Sequence, residues 1–142
     1  MAAMVFVEQL RRAGLDERVR VTSAGIGGWH VGDPADPRTV RVLAEHDYPT
    51  NHAAAQIDDD HLSADLLLAM DNYHDVALRD LLTQRGDTDD RLRMFRSFDP
   101  AATGLLDVPD PYFGEYNGFV EVLGLVEAAM PGLLEWVRAN LG

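Results

Sequence analysis

An α/β domain with a short, mostly parallel sheet and helices on both faces is the fold class that this 142-residue chain predicts. Three observations predict it. Leu66-Leu67-Leu68-Ala69-Met70 is apolar without alternation, the pattern of a strand covered on both sides. Strand-like and helix-like segments take turns along the chain, as parallel strands require a crossover between them. The size, with 46% apolar and 25% charged residues, suits one domain over residues 1–142 with a single moderate core, and no repeat, low-complexity tract or linker interrupts it.

Residues 2–14 read as a helix, with Phe6, Leu10 and Ala13 at helical spacing and Gly14 as terminator. No capping residue precedes it. Residues 18–23 alternate Val19 and Val21 with polar side chains and predict a strand. Residues 25–37, rich in glycine and proline, predict a loop, 39–46 a short amphipathic helix and 48–56 a second loop. Asp58, Asp59 and Asp60 begin a helical turn, where carboxylates meet free N–H groups and oppose the dipole. The apolar run 66–70 is the buried strand, and 72–84 a helix through Val76, Leu78, Leu81 and Leu82. A short strand is expected at 92–95, an irregular segment at 96–114 and a long helix at 116–141, bent near Pro131.

Composition narrows the function classes. A formal net charge of −12 argues against a nucleic-acid partner, which needs a basic face. No apolar run approaches the roughly 20 residues that span a bilayer. Met1-Ala2-Ala3-Met4 lacks the basic start of a secretory signal, so a cytoplasmic location is expected. The chain has no cysteine, which removes disulfides, thiolate metal sites and a cysteine nucleophile from its own chemistry. His30, His46, His52, His61 and His74 have no i, i+4 pairing suited to zinc. Asp87, Asp89 and Asp90 lack the central Gly and closing Glu of a calcium loop, and no metal is expected. Ser23 has no nucleophile elbow around it, and the glycines after it do not match a dinucleotide fingerprint, so no cofactor is expected.

Two loops hold the residue types that chemistry needs. In Asp107-Val108-Pro109-Asp110-Pro111-Tyr112-Phe113-Gly114 the two prolines stiffen the backbone around Asp110. Aromatic neighbours desolvate a carboxyl and raise its pKa, which suits a general acid. A Pro-Asp turn with aromatics packed on the core explains the same residues. The segment Ser23-Ala24-Gly25-Ile26-Gly27-Gly28-Trp29-His30 comes directly after a predicted strand, where open α/β sheets bind ligands, and Trp29 could wall an aromatic pocket. A loop with one packed Trp reads equally well.

Taken together, several segments resemble the low-molecular-weight protein tyrosine phosphatase family, most closely its actinobacterial members. They are Val19-Arg20-Val21-Thr22-Ser23-Ala24-Gly25, Trp29-His30-Val31-Gly32, Tyr48-Pro49-Thr50, and His52 with Ala54, Ala55 and Gln56. They continue through Ala64-Asp65-Leu66-Leu67, Ala69-Met70-Asp71, Arg96-Ser97-Phe98-Asp99-Pro100 and Asp110-Pro111-Tyr112-Phe113-Gly114, in the family's order along essentially the whole chain. The resemblance implies a three-layer fold and hydrolysis of a phosphotyrosine protein or aryl phosphate through a phosphocysteine. Asp110 then corresponds to the general acid, and Trp29 and Tyr112 to the walls around the phenyl ring. Phe113 stands where many relatives have Tyr. Ser23, His52 and Asp71 correspond to groups that brace the phosphate loop.

That loop, a Cys, five residues and Arg-Ser after the first strand, is not matched here. Met1-Ala2 onward to Phe6 and Leu10 resemble the residues just past the loop in relatives, so the chain is expected to begin at the family's first helix with the first strand missing. The resemblance places that strand between 18–23 and 66–70. Two apolar edges would then stand unpaired, and association between copies is expected. Two other readings remain: a non-catalytic pseudo-phosphatase that binds a partner, and an arsenate reductase of the same fold group, against which Trp29 and Tyr112 favour an aromatic substrate.

Overall fold

The computed structural model describes residues 1–25, 36–50, 55–102, 104, 106–109 and 116–141. Within them the chain forms helices α1 (Ala2–Arg12), α2 (Pro37–Glu45), α3 (Asp59–Leu62), α4 (Asn72–Gln84) and α5 (Tyr116–Asn140), and strands β1 (Leu67–Ala69) and β2 (Leu92–Met94). Short 3-10 turns occupy Asp16–Arg18 and Phe95–Phe98.

The apolar run at 66–70 becomes β1, paired in parallel with β2 in the register Leu67 to Leu92, Leu68 to Arg93 and Ala69 to Met94. α4 is the crossover between them. Alternate side chains of β1 enter two different layers. Leu67 and Ala69 are buried with Leu62, Leu78, Leu82 and Leu92 on the α4 side. Leu66, Leu68 and Met70 pack on the other cluster, which includes Val5 of α1, Leu43 of α2 and Phe119, Val126 and Leu133 of α5. A strand with helices over both faces has no polar side to show, which is why its sequence lacks alternation. Val76, expected in the apolar stripe of α4, is 52% exposed; the stripe is Leu78 and Leu82, with Leu81 partly buried beside them.

Local chemistry sets the helix ends. Gly14, at φ 72°, ends α1 in the left-handed region that glycine adopts without strain. α2 starts at Pro37, two residues before the expected 39, because Asp36 caps it: its side chain accepts from the Arg38 N–H while Pro37 sits where a missing donor costs nothing. Asp58 and His61 form a reciprocal cap at the start of α3. α5 runs on through Pro131, and Gly132 lies against the Phe95–Phe98 turn, where an added Cβ would stand 2.2 Å from the Phe98 carbonyl oxygen.

The predicted strand at 18–23 is not formed. Arg18 closes a 3-10 turn, and Val19 is extended at φ −133°, ψ 125°. The pairing near it is a single parallel bridge between Gly25 and Gln56. Among the described residues no backbone hydrogen bond reaches Val19, Arg20, Val21 or Thr22. Val19 and Val21 are half-buried, as their alternation asked. A ladder, however, needs a neighbouring strand, and β1 pairs with β2 rather than with this segment.

Candidate active site

One of the predicted site loops is rooted at the carboxyl end of β1, and two others share stems tied together at Gly25 and Ala55. Asp110, Tyr112 and Phe113, with Trp29 and His52, lie outside the described residues. Their stems are described. On the stem before Asp110, the Val108 N–H donates to the Met70 carbonyl at 2.7 Å, immediately after β1. Arg96 donates to the Asp107 carbonyl at 3.1 Å. The Asp107 carboxylate accepts from the Asn72 N–H at 2.9 Å, the first residue of α4. Three bonds thus hold the stem against the strand end and a helix start, and Pro109 continues it with a fixed φ.

The loop containing Trp29 leaves from Gly25, whose N–H donates to the Ala55 carbonyl at 2.7 Å. The Gly25 carbonyl in turn accepts from the Ile57 N–H at 2.9 Å. Ala55 closes the loop containing His52, so one bridge ties the stems of both loops. The far stem of the Trp29 loop is Asp36, whose carboxylate accepts from Arg38 through its N–H at 2.8 Å and its guanidinium at 3.1–3.2 Å. Those bonds hold the Asp36 pKa below the usual carboxylate range. The Arg38 guanidinium also lies 4.6 Å from the centre of the Phe119 ring, fastening the stem to α5.

Of the expected bracing residues, Asp71 is the N-cap of α4. It accepts from the His74 N–H at 2.8 Å, and the His74 ring nitrogen stands 3.5 Å from it. Ser23 is exposed on the extended segment before Gly25. Asp71 and Asp107 both serve α4, supplying acceptors to two of its orphan N–H groups and placing negative charge at the positive end of its dipole. Sequence reasoning does not single out Asp107 or Arg96. The signal available is an acidic residue just ahead of a proline-stiffened loop, a residue type that satisfies free helix N–H groups.

Ser23, Gly25, Ala55, Met70 and His74 line one cavity of about 1390 Å³ that continues along the open edge of β1. In an open α/β sheet a ligand settles just beyond the strand ends, and Met70 with the Gly25 and Ala55 stems lines the same cavity. Among the described residues no three His, Asp or Glu come together as metal ligands, and no helix is long and apolar enough to cross a membrane.

Known proteins are similar to this chain in sequence and in fold. A family model described as low molecular weight phosphotyrosine protein phosphatase matches residues 1–141. The chain is 51% identical over 142 residues to low molecular weight protein-tyrosine phosphatase A of Mycobacterium tuberculosis, covering 99% of this chain and 85% of that protein. It is 50% identical over 143 residues to a low molecular weight protein-tyrosine-phosphatase of Streptomyces coelicolor, covering 99% and 87%. The fold matches the crystal structure of YfkJ from Bacillus subtilis with a TM-score of 0.86 at 27% identity, over 98% of this chain and 86% of that one.

Proposed function

Because this chain belongs to the low molecular weight phosphotyrosine protein phosphatase family, whose enzymes are protein tyrosine phosphatases, we propose that its residues supply the acid and the substrate walls of phosphotyrosine hydrolysis. Asp110 is the general acid that protonates the tyrosine oxygen as it leaves. Trp29 and Tyr112 hold the phenyl ring between them, and Phe113 keeps an aromatic edge where relatives carry Tyr. Ser23, His52 and Asp71 brace the phosphate site. The substrate is a phosphotyrosine protein or an aryl phosphate, met in the cytoplasm, and the reaction needs neither metal nor cofactor.

The observation that supports this reading best is the hydrogen bond from Val108 to Met70, which roots the Asp110 loop at the strand end. A general acid needs placement within hydrogen-bond reach of the leaving oxygen, and a loop pinned two residues earlier restricts where Asp110 can go.

The other half of the reaction requires a thiolate to attack phosphorus, and the chain contains no cysteine. The 142 residues by themselves therefore have no phosphocysteine step for Asp110 to assist, and they are inactive. The test is an assay of aryl phosphate hydrolysis with the pure chain, which should match the buffer rate. A longer protein that adds the family's leading strand and its Cys, five residues and Arg-Ser ahead of Met1 should turn the substrate over. In that protein Asp110→Asn should lower kcat by about 10²–10⁴-fold, the worth of a positioned general acid. Turnover by the 142 residues alone, or an Asp110→Asn protein as fast as its parent, refutes the reading. The same lack of cysteine favours a second reading, a non-catalytic binding module. Saturable binding of an aryl phosphonate by the pure chain, without turnover, would select it.

A further inference from the structure

The outer face of α4 carries side chains that neither the core nor the proposed chemistry uses. At about 100° per residue, Tyr73, Val76 and Asp80 form a stripe on the side of the helix away from Leu78 and Leu82, which are buried with β1 and β2. Tyr73 is 68% exposed and Val76 52%, the highest values for large apolar side chains among the described residues. Helix formation does not call for either, since tyrosine and valine are middling helix formers. One turn apart on a helix, the two side chains are neighbours and make one patch.

The patch starts at the candidate active site. Tyr73 lies between Asn72, whose N–H binds the Asp107 carboxylate at 2.9 Å, and His74, which lines the large cavity. The Tyr73 and His74 ring centres are 6.0 Å apart and the planes tilted by 59°. Aromatic surface thus runs from the cavity rim onto the outside of α4. Negative charge follows it: Asp80 is exposed one turn beyond Val76. Arg79, the only Lys or Arg in α4, is engaged by Asp75 at 3.0 Å and by Asp89, so its charge is matched already.

We propose that Tyr73, Val76 and Asp80 dock the segment of a protein substrate that adjoins its phosphotyrosine, with apolar side chains nearer the phosphotyrosine and a basic one beyond them. Docking of this kind rests on the reading of the chain as part of a phosphotyrosine protein phosphatase. Spacing specifies the order. Along the helix Val76 stands about 4.5 Å and Asp80 about 10.5 Å beyond Tyr73, and an extended peptide advances about 3.3 Å per residue. Two successive apolar residues then meet Tyr73 and Val76, and a Lys or Arg two places further on meets Asp80. Burial of the apolar pair supplies the attraction. The Asp80 carboxylate, on a chain of net charge −12, selects a cation and repels an acidic flank.

Two peptides test this. One carries phosphotyrosine with Leu, Leu, Ser and Arg running outward on each side; its twin has Ser for Leu and Glu for Arg. Titrated into the nitrogen-15-labelled 142-residue chain, the first should shift the amides of Tyr73, Val76 and Asp80 saturably, and the twin should not. A Tyr73→Ala, Val76→Ser chain should lose that response and keep the rest of its spectrum, which separates a lost contact from a lost fold. In the longer protein that carries the Cys loop, kcat/KM for the first peptide should exceed that for its twin at least about tenfold, with the difference in KM. Asp80→Arg should lower it about threefold, the scale of an exposed ion pair, and a peptide with Leu kept and Glu for Arg should recover the loss. p-Nitrophenyl phosphate has no flanking segment, so its turnover by the longer protein tests the catalytic reading alone. Turnover of that compound with equal kcat/KM for the two peptides overturns the docking face and leaves the catalytic reading standing. Amide shifts confined to other parts of the chain, or none at tenfold excess of the first peptide, overturn it as well, whether or not the longer protein is active.

Discussion

α1 and α4 are of similar length, 11 and 13 residues, and cover opposite faces of β1, yet their first turns are held in different ways. α4 begins with two carboxylates: Asp71 next to it in sequence, and Asp107 brought from 35 residues away. α1 begins at Ala2 with no side-chain cap from Met1, and Met1, Ala2 and Ala3 line the large cavity. The strands divide in the same way. β1 and β2 are joined through α4 into a closed parallel unit, whereas 19–24 lacks a ladder among the described residues. Strand propensity is similar on the two sides. The difference is whether a partner lies within reach, and the side with partners is the side that anchors the Asp110 loop.

The largest effect that can break this comparison is in the two cores. Leu82 is 1% exposed in the closed unit, and Leu82→Ala should destabilise the protein by about 2–5 kcal/mol, the cost of a lost side chain plus its cavity. Val21 is half-buried on the open side, and Val21→Ala should cost less than about 1 kcal/mol. Urea unfolding of the two variants against the parent measures both. A Val21 variant as damaged as the Leu82 variant would mean that the open side is packed as firmly as the closed one.

These contrasts explain how much is legible in the sequence. β1, β2 and α4 are readable because their signals are local: five apolar residues in a row, a period of 3.6, and an Asp at the helix start. Residues 18–23 carry an equally local signal, the alternation of Val19 and Val21, but a strand also depends on a neighbour that no local pattern reveals. The start of α2 lies two residues earlier than its pattern suggests because Asp36-Pro37 resembles a loop until its role as cap and first turn is known. At the site, Asp110, Trp29, His52, Tyr112 and Phe113 are named through the resemblance to a family, not through periodicity. Asp107 escapes because its partner, the Asn72 N–H, is brought to it only by the fold.

Asp107 provides the next test, at the boundary of fold and site. Asp107→Ala removes the acceptor for the Asn72 N–H and should cost about 1 kcal/mol, as the loss of a helix cap does. Asp107→Asn keeps an acceptor oxygen and should recover part of it. If the carboxylate contributes nothing, the two variants will unfold together with the parent, and the stem of the Asp110 loop must be held by Val108 and Arg96 alone.

The smallest effect lies on the open side, in α1. Glu8 is buried there, and Arg11 donates to both of its carboxylate oxygens at 2.8 and 2.9 Å. That hydrogen bonding, outweighing desolvation, lowers the Glu8 pKa below its ordinary value. A carboxylate more acidic in the folded than in the unfolded chain contributes stability that is fully present above its unfolded pKa and fades as pH falls through the folded one. Glu8→Gln should therefore flatten the acid limb of the stability curve below about pH 4.5 while changing little of its shape near neutrality. The pair lies within α1, whereas the polar ties from α1 to its neighbours are made by Gln9, which donates to the Tyr48 hydroxyl at 3.3 Å, and by Arg12 over the Tyr48 ring. An acid limb that is identical in the variant would show that the Glu8–Arg11 pair adds nothing to α1 beyond the burial of Val5 and Leu10 and the contacts of Gln9 and Arg12 with Tyr48.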